Sequence, residues 1–150
     1  MTKRLMGFIL TICMAAPLCG CDALQGYLGL DTVLVVLNNQ ADFPVEVDLY
    51  LSDQKDIPEL LLITVGEHLE FTLAPGTSQQ FTRSCDDLKA IMIYDADLVT
   101  AGGPDTESNV LRTDGDFNCA DKITFTFDHS AVISDFNVAV DVRPQTPFLP

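Results

Sequence analysis

The chain is poor in basic residues, histidine and tryptophan, and each shortage narrows its possible functions. Its 150 residues include 8 Lys and Arg against 22 Asp and Glu, with 2 His and no Trp. A net charge of −14 repels phosphate backbones, because nucleic-acid binding depends on Lys and Arg releasing counterions. We therefore expect no nucleic-acid partner, and the acidic balance favours cationic partners or divalent ions. The lack of Trp weakens the case for a sugar-stacking platform.

Motifs of the common enzyme classes are missing as well. No G-x-S-x-G elbow surrounds Ser84, Ser130 or Ser134, and the chain contains no G-x-G-x-x-G or P-loop sequence. The two histidines, His68 and His129, lie too far apart in the chain for the H-x-x-x-H spacing of a metal-binding helix. We therefore expect a protein that is not an enzyme.

The clearest functional signal lies in the first 21 residues. Lys3 and Arg4 form a basic tip, and the 14 residues 5–18 are apolar apart from Thr11, as in a secretory signal peptide. A membrane-spanning helix needs about 20 apolar residues, so this run fits a removable signal better than a permanent span. The run ends in Leu18-Cys19-Gly20-Cys21, where a small residue stands directly before the last cysteine.

This ending closely resembles the lipobox of bacterial lipoproteins. In that family the cysteine thiol is joined to diacylglycerol, the chain is cut in front of the cysteine, and the freed amine is usually acylated. The resemblance implies that residues 1–20 are removed and that the acylated Cys21 holds the protein on a lipid bilayer, firmly if two or three acyl chains are attached. Ordinary cleavage near Ala16 or Gly20, which would release a soluble protein, is the alternative.

Two other cysteines compete for the lipid, and their neighbours disfavour them. Cys13 follows Ile12 and Cys19 follows Leu18, where the lipoprotein family has Gly, Ala or Ser. Asp22 directly follows the preferred cysteine, and in some Gram-negative lipoproteins an aspartate there resembles the signal for retention in the inner membrane. The resemblance therefore implies an extracytoplasmic address that slightly favours the periplasmic face of the inner membrane, with the outer membrane as the alternative.

Two of the five cysteines lie in the removed segment and Cys21 takes the lipid, so Cys85 and Cys119 remain. An oxidising compartment makes pairing the default for such cysteines, so we predict a Cys85–Cys119 disulfide. The chain-entropy estimate for closing a loop of this length is about 3.5 to 4 kcal/mol. Two separate buried thiols are the alternative. A metal site formed with the two histidines is disfavoured, because the sequence lacks the C-x-x-C spacing of zinc sites.

Alternating apolar and polar residues predict short β-strands over the rest of the chain. We expect the first two strands to form an antiparallel pair, and the strands on either side of the Pro75-Gly76 turn to lie beside each other. An apolar run over 59–65 ends at Gly66, and no segment predicts a convincing amphipathic helix. The predicted strands are 32–37, 45–51, 69–73, 79–85, 88–94, 123–127 and 136–142, with 109–111 as a short extra strand.

Seven to nine such strands, separated by turns, indicate an all-β fold. We predict an antiparallel, immunoglobulin-like β-sandwich, with a small β-barrel as the alternative. The expected organisation is a signal peptide over 1–20, an anchor and tether over 21–31, the sandwich over 32–142 and an exposed proline-rich tail over 143–150.

The acidic segment before the last pair of strands is the best candidate for a ligand site. Asp114, Asp116 and Asn118 offer oxygen atoms at alternating positions, and Asp121 follows them, as in the opening of many calcium loops. The segment does not match the EF-hand calcium loop, because this chain lacks the Gly that the loop has at its sixth position and the Glu that it has at its twelfth. A solvated turn is the alternative. Further ligands could come from nearby loops: Asp95, Asp97, Asp105 and Glu107.

Together these features predict a membrane-anchored lipoprotein of the cell envelope. Its sandwich is expected to bind or scaffold an envelope protein or glycan without catalysis. The first alternative is a calcium-dependent adhesive or carbohydrate-binding module that uses the acidic segment. The weakest alternative is a small envelope hydrolase with a pair of carboxylates, since such pairs need separations that a sequence does not reveal.

Overall fold

Buried and exposed residues alternate along most strands of this protein. The computed structural model describes residues 31–129 and 133–145. In β8, for example, Ile123, Phe125 and Phe127 are fully buried while Thr124 and Thr126 between them are partly exposed. The predicted signal peptide, the lipidation site and nearly all of the tether lie outside the described residues, as does the chain end 146–150. The described strands are β1 (Thr32–Asn39), β2 (Val45–Ser52), β3 (Glu67–Leu73), β4 (Ser78–Ser84), β5 (Ala90–Leu98), β6 (Asp105–Thr106), β7 (Leu111–Arg112), β8 (Asp121–Asp128) and β9 (Asn137–Pro144).

The strands form two open sheets that pack face to face. The first sheet has the order β4-β1-β8-β9, and the second has the order β3-β2-β5-β6, with β7 also pairing with β5. Every pair is antiparallel except β1 with β8, which run parallel. The inner faces of both sheets supply one apolar core, to which Phe117 adds its ring from a loop. The predicted all-β sandwich is confirmed, and the barrel alternative is wrong.

Two predicted strand pairings are wrong, because the connections cross from one sheet to the other. β1 lies between β4 and β8 in the first sheet, whereas β2 lies between β3 and β5 in the second. In the same way β3 and β4, which flank the Pro75-Gly76 turn, belong to different sheets. Alternation in a sequence shows which residues face the core, but it does not identify the partner strand.

The apolar run over 59–65 forms a short helix, α1 (Glu59–Val65), although its sequence predicts no amphipathic helix. Its Leu62 is fully buried and packs with Ile57, Ala90 and Met92 on the outer face of the second sheet. A Cβ at Gly66 would lie 2.4 Å from the carbonyl oxygen of Leu62, so glycine allows this close helix end. Within residues 31–129 and 133–145, no helix has the length and apolarity to cross a membrane.

The last strand extends beyond its predicted end. β9 reaches Pro144, so Arg143 and Pro144 belong to the sheet and not to the expected tail. β9 is an edge strand, where the missing N–H of proline leaves no ladder bond broken. Gln145 then closes the strand, because its backbone N–H donates to the carbonyl oxygen of Ala120. A 3-10 turn at Ile133–Asp135 precedes this strand.

Candidate functional site

The strand registers give the sandwich two different ends. At the tether end, so named because residue 31 lies there, the carbonyl oxygen of Asp31 accepts a hydrogen bond from Cys85 N–H. In the second sheet, Ser52 lies opposite Ala90 at the same end. An ion pair between Arg83 of β4 and Glu67 of β3 connects the two sheets there. The opposite end, here called the far end, contains the end of β1, the start of β2 and the end of β5.

The disulfide predicted between Cys85 and Cys119 is present at the tether end. The two Cα atoms lie 5.5 Å apart, within the usual range for a disulfide. The bond joins the connection after β4 to the segment before β8. It therefore fastens the outer strand of the first sheet to the acidic segment that was the candidate calcium loop.

Two of the predicted calcium ligands are already bonded to other groups of the protein. The Asp114 carboxylate pairs with Lys55 Nζ at 3.1 Å. The Asp116 carboxylate accepts a hydrogen bond of 2.8 Å from the backbone N–H of Arg112. Aspartate side chains often satisfy nearby backbone groups in this way, which stabilises a turn without any ion.

The other two predicted ligands contact each other. Asp121, which is nearly buried, accepts a hydrogen bond of 2.7 Å from the backbone N–H of Asn118. In the part of the chain that the structure describes, three His, Cys, Asp or Glu ligand atoms approach within 4.8 Å of one another at Asp48, His68 and Glu70. The structure therefore does not gather the predicted calcium carboxylates into such a group, and calcium binding there stays a prediction.

Acidic residues gather instead on the outer face of the second sheet. Asp48 lies directly opposite Glu70 on one side and Asp95 on the other. In the next row, Glu46 lies opposite Asp97. A cleft of about 360 Å³ lies among these side chains. We call this surface the carboxylate face; its residues are Glu46, Asp48, Glu70, Asp95, Asp97 and Asp105, the last of which lies opposite Asp97.

The carboxylates of this face are close enough to repel one another. Burial raises the pKa of Asp95 above its usual value of 3.8, and the charges of Asp97, Asp105 and Asp48 raise it further. Among the described residues, the ion pairs of Lys and Arg involve acids outside this face: Asp114, Glu67, Asp86 and Asp141. The carboxylate face is therefore a concentrated negative surface that favours a positively charged ligand.

His68 is the basic group beside this face, and it completes a set of three metal-ligand side chains. Its Nε2 lies 3.1 Å from a carboxylate oxygen of Asp48, and its Nδ1 lies 4.0 Å from one of Glu70. Tyr50 stacks on the imidazole at a centroid distance of 4.5 Å and fixes the plane of the ring. One imidazole nitrogen and two carboxylate oxygens form a donor set that suits zinc and similar divalent ions.

Sequence patterns did not reveal this set, although Asp95, Asp97 and Asp105 were predicted as acids that loops could bring together. The three ligand residues lie on two strands, and the register of β2 with β3 places Tyr50 opposite His68 and Asp48 opposite Glu70. The available signal was the pair of alternating patterns over 46–50 and 68–72, each with polar residues on one face. Without the pairing of these two strands, that signal does not connect the residues.

Comparisons with known proteins give a structural likeness without a family. No protein-family model matches the chain, and no curated protein matches it. The T6SS lipoprotein TssJ1 from Pseudomonas aeruginosa is similar at 14% identity and a TM-score of 0.46, over 77% of this chain and 98% of that one. A protein from Eubacterium rectale is similar at 17% identity and a TM-score of 0.45, over 80% and 95% of the two chains. Likeness at this level identifies neither a family nor an activity.

Proposed function

We propose that this protein is a lipid-anchored, non-catalytic binding module of the bacterial cell envelope. The observation that carries the proposal is the ending Leu18-Cys19-Gly20-Cys21, which follows a basic tip and an apolar run. The Cys85–Cys119 disulfide supports an exported protein, because such bonds persist in oxidising compartments and are rare in the cytosol. The protein would therefore act at a membrane surface outside the cytoplasm.

The carboxylate face is the surface of this module that would bind its partner. Its carboxylates, apart from that of Asp105, line one cleft, and Asp48 contacts His68 as its basic neighbour. Opposite charge across an interface speeds association and selects partners. The partner chemistry that fits is therefore a protein surface rich in Lys and Arg, presented by another component of the envelope.

Intact mass of the protein extracted from membranes tests the anchor. We expect a chain that starts at Cys21, is heavier by two or three acyl chains, and gains two hydrogens on reduction. The variant Cys21→Ser should lose the acyl mass and leave the membrane fraction, whereas the matched control Cys19→Ser should keep both. An unlipidated chain that retains Met1 and has every thiol free would overturn the proposal.

A charge-matched pair of variants tests the carboxylate face. We expect envelope proteins captured by the wild-type chain at low salt to be lost from the double variant Glu46→Gln, Asp97→Asn. The control double variant Asp53→Asn, Asp56→Asn removes the same charge from the loop before α1 and should capture as the wild type does. Equal losses from both variants would show that overall charge, and not this face, governs binding.

A divalent-cation module is the second candidate, favoured by the cluster of Asp48, His68 and Glu70. Titration calorimetry with Zn²⁺ alone would measure it. We expect one saturable site in the wild-type chain and its loss in His68→Gln. The control His129→Gln changes a histidine beside Asp42 at the far end and should leave the zinc isotherm unchanged. Zinc binding that persists in His68→Gln would reject this candidate.

A further inference from the structure

The helix α1 exposes large apolar side chains at the tether end of the second sheet. Leu60, Leu61 and Val65 are 72%, 48% and 67% exposed, although Leu62 between them is fully buried. The guanidinium of Arg112 fixes the chain segment before the helix, because it donates hydrogen bonds to the carbonyl oxygens of Lys55 and Ile57. The apolar side chains therefore stand on a fixed element, and in water their exposure is unfavourable.

The Lys and Arg residues of the described chain gather at the same end. Each lies in a loop there or within three residues of a strand end that borders it. Acidic residues lie at this end in greater number, among them Glu59 and Asp86, and four of the basic side chains are ion-paired with acids. The surface is therefore mixed in charge, unlike the carboxylate face. The basic residues are Lys55, Arg83, Lys89, Arg112, Lys122 and Arg143.

The first described residue fixes which end is nearest the proposed anchor. Asp31 bonds to Cys85 at the tether end, and Cys21 precedes Asp31 by ten positions in the chain. Ten residues span at most about 36 Å when fully extended. An acylated Cys21 therefore keeps the tether end near the bilayer and raises the effective concentration of lipid at that end.

We propose that the tether end rests on the lipid bilayer and that Leu60, Leu61 and Val65 enter its interfacial layer. This inference depends on the lipid anchor proposed above. The contact is apolar, as in other surface-lying apolar helix faces, because most of the basic side chains at this end are paired with neighbouring acids. It orients the sandwich so that the far end, with Glu46 and Asp97 on the carboxylate face, points away from the membrane.

The chain contains no Trp, so a single introduced indole reports its own position without background. We expect Leu60→Trp in the lipidated protein, reconstituted in phosphatidylcholine vesicles, to lose at least about half of its fluorescence when the lipids carry brominated acyl chains. The matched control is Val99→Trp, because Val99 is 45% exposed and its backbone bonds to Pro44 at the far end. That control should keep its full signal.

The two proposals fail in different ways. A vesicle-bound protein in which Leu60→Trp is quenched no more than Val99→Trp would overturn the membrane contact and leave the anchor intact. A protein that does not float with vesicles would overturn the anchor. In that case the chain from Cys21 onward is coupled through the Cys21 thiol to a maleimide lipid. Quenching of Leu60→Trp and Val99→Trp is then compared in this lipid-coupled protein to test the membrane contact. If Leu60→Trp does not fold, Leu61→Trp replaces it, with melting curves as the check on folding.

Discussion

The tether end and the far end of the sandwich are closed by different chemistry. At the tether end, the disulfide between Cys85 and Cys119 is covalent, and the ion pair of Arg83 with Glu67 joins the two sheets. At the far end the connection is polar and buried, and it centres on Asn39, which is fully buried. Acidic residues occur in both halves, but Lys and Arg of the described residues lie towards the tether end, so the net negative charge is larger in the far half.

The far-end connection explains how β1 and β2 can be close in sequence and yet lie in different sheets. The Asn39 amide nitrogen donates to the carbonyl oxygens of Phe43 and Leu73, at 2.9 and 3.0 Å. Its side-chain oxygen accepts from Ala41 N–H at 2.9 Å. One buried side chain thus bonds to the connection after β1 and to the end of β3, so the far end stays closed without a covalent bond.

Removing the disulfide is expected to have the largest effect on stability. The double variant Cys85→Ala, Cys119→Ala should lose about 3.5 to 4 kcal/mol, because opening a loop of this length frees the unfolded chain. Urea unfolding with the wild type as reference measures it. If the disulfide fastens only the tether end, hydrogen exchange should rise around 85 and 119 and stay unchanged at 39–45. Equal protection at both ends in the double variant would contradict the division into two ends.

Calcium is expected to have the next largest effect, if the loop of Asp114 and Asp116 binds it. A specific site should raise the melting temperature as it saturates, because calcium at a hundred times the dissociation constant adds about 2.7 kcal/mol to the free energy of unfolding. It would also neutralise acids at the tether end and so sharpen the contrast with the far half. The double variant Asp114→Ala, Asp116→Ala should abolish the response. An unchanged response in that variant would reject the calcium loop.

Asn39→Ala tests the far end by removing its polar connection. Burying carbonyl groups without a donor costs about 1 to 3 kcal/mol, so we expect a loss of about 2 kcal/mol in urea unfolding. The control is Asn38→Ala, the neighbouring partly exposed residue, whose side chain accepts a hydrogen bond from Ser78. That control should lose less than half as much. Similar losses from the two variants would show that burial of Asn39 is not what closes this end.

Sequence patterns predicted the strands well, because exposure along a strand repeats every two residues. The hairpin of β8 and β9 is the clearest case, with Ile123 opposite Val142 and Phe127 opposite Val138. The helix over 59–65 was missed because its apolar residues lie on all sides, so no helical period is visible. The partner strands of β1 and β3 could not be predicted, since the short connections after these two strands change sheets.

The sequence predicted candidate sites that do not depend on which strands pair, and it did not predict the site that does. The disulfide followed from counting the cysteines left after the predicted signal peptide and lipidation site, and required no geometry. The metal-ligand set of Asp48, His68 and Glu70 depends on the register of two strands, which no local motif encodes. The acidic residues near 114 were visible as a motif, but backbone N–H groups of Arg112 and Asn118 compete for their oxygens.

Asp95→Asn is expected to have the smallest effect, and it tests whether repulsion on the carboxylate face costs stability. The pKa of Asp95 is raised in the folded protein, so the fold binds this proton more tightly than the unfolded chain does. Its favourable contribution is complete below about pH 3.8 and is lost as the pH rises through the raised value. The neutral amide should therefore stabilise the fold near pH 7.

The gain should be at most about 0.5 kcal/mol, because solvent screens partly exposed charges. Thermal melting of Asp95→Asn and wild type between pH 3 and 7 measures it, and the difference should shrink to nothing at the acid end. The control Asp86→Asn removes an equal charge beside Lys89 at the tether end, where we expect no gain. A gain of the same size from both variants would mean that net charge destabilises the whole sandwich. Repulsion on the carboxylate face would then have no separate effect on the free energy of unfolding. The difference in charge between the two halves would likewise not affect stability.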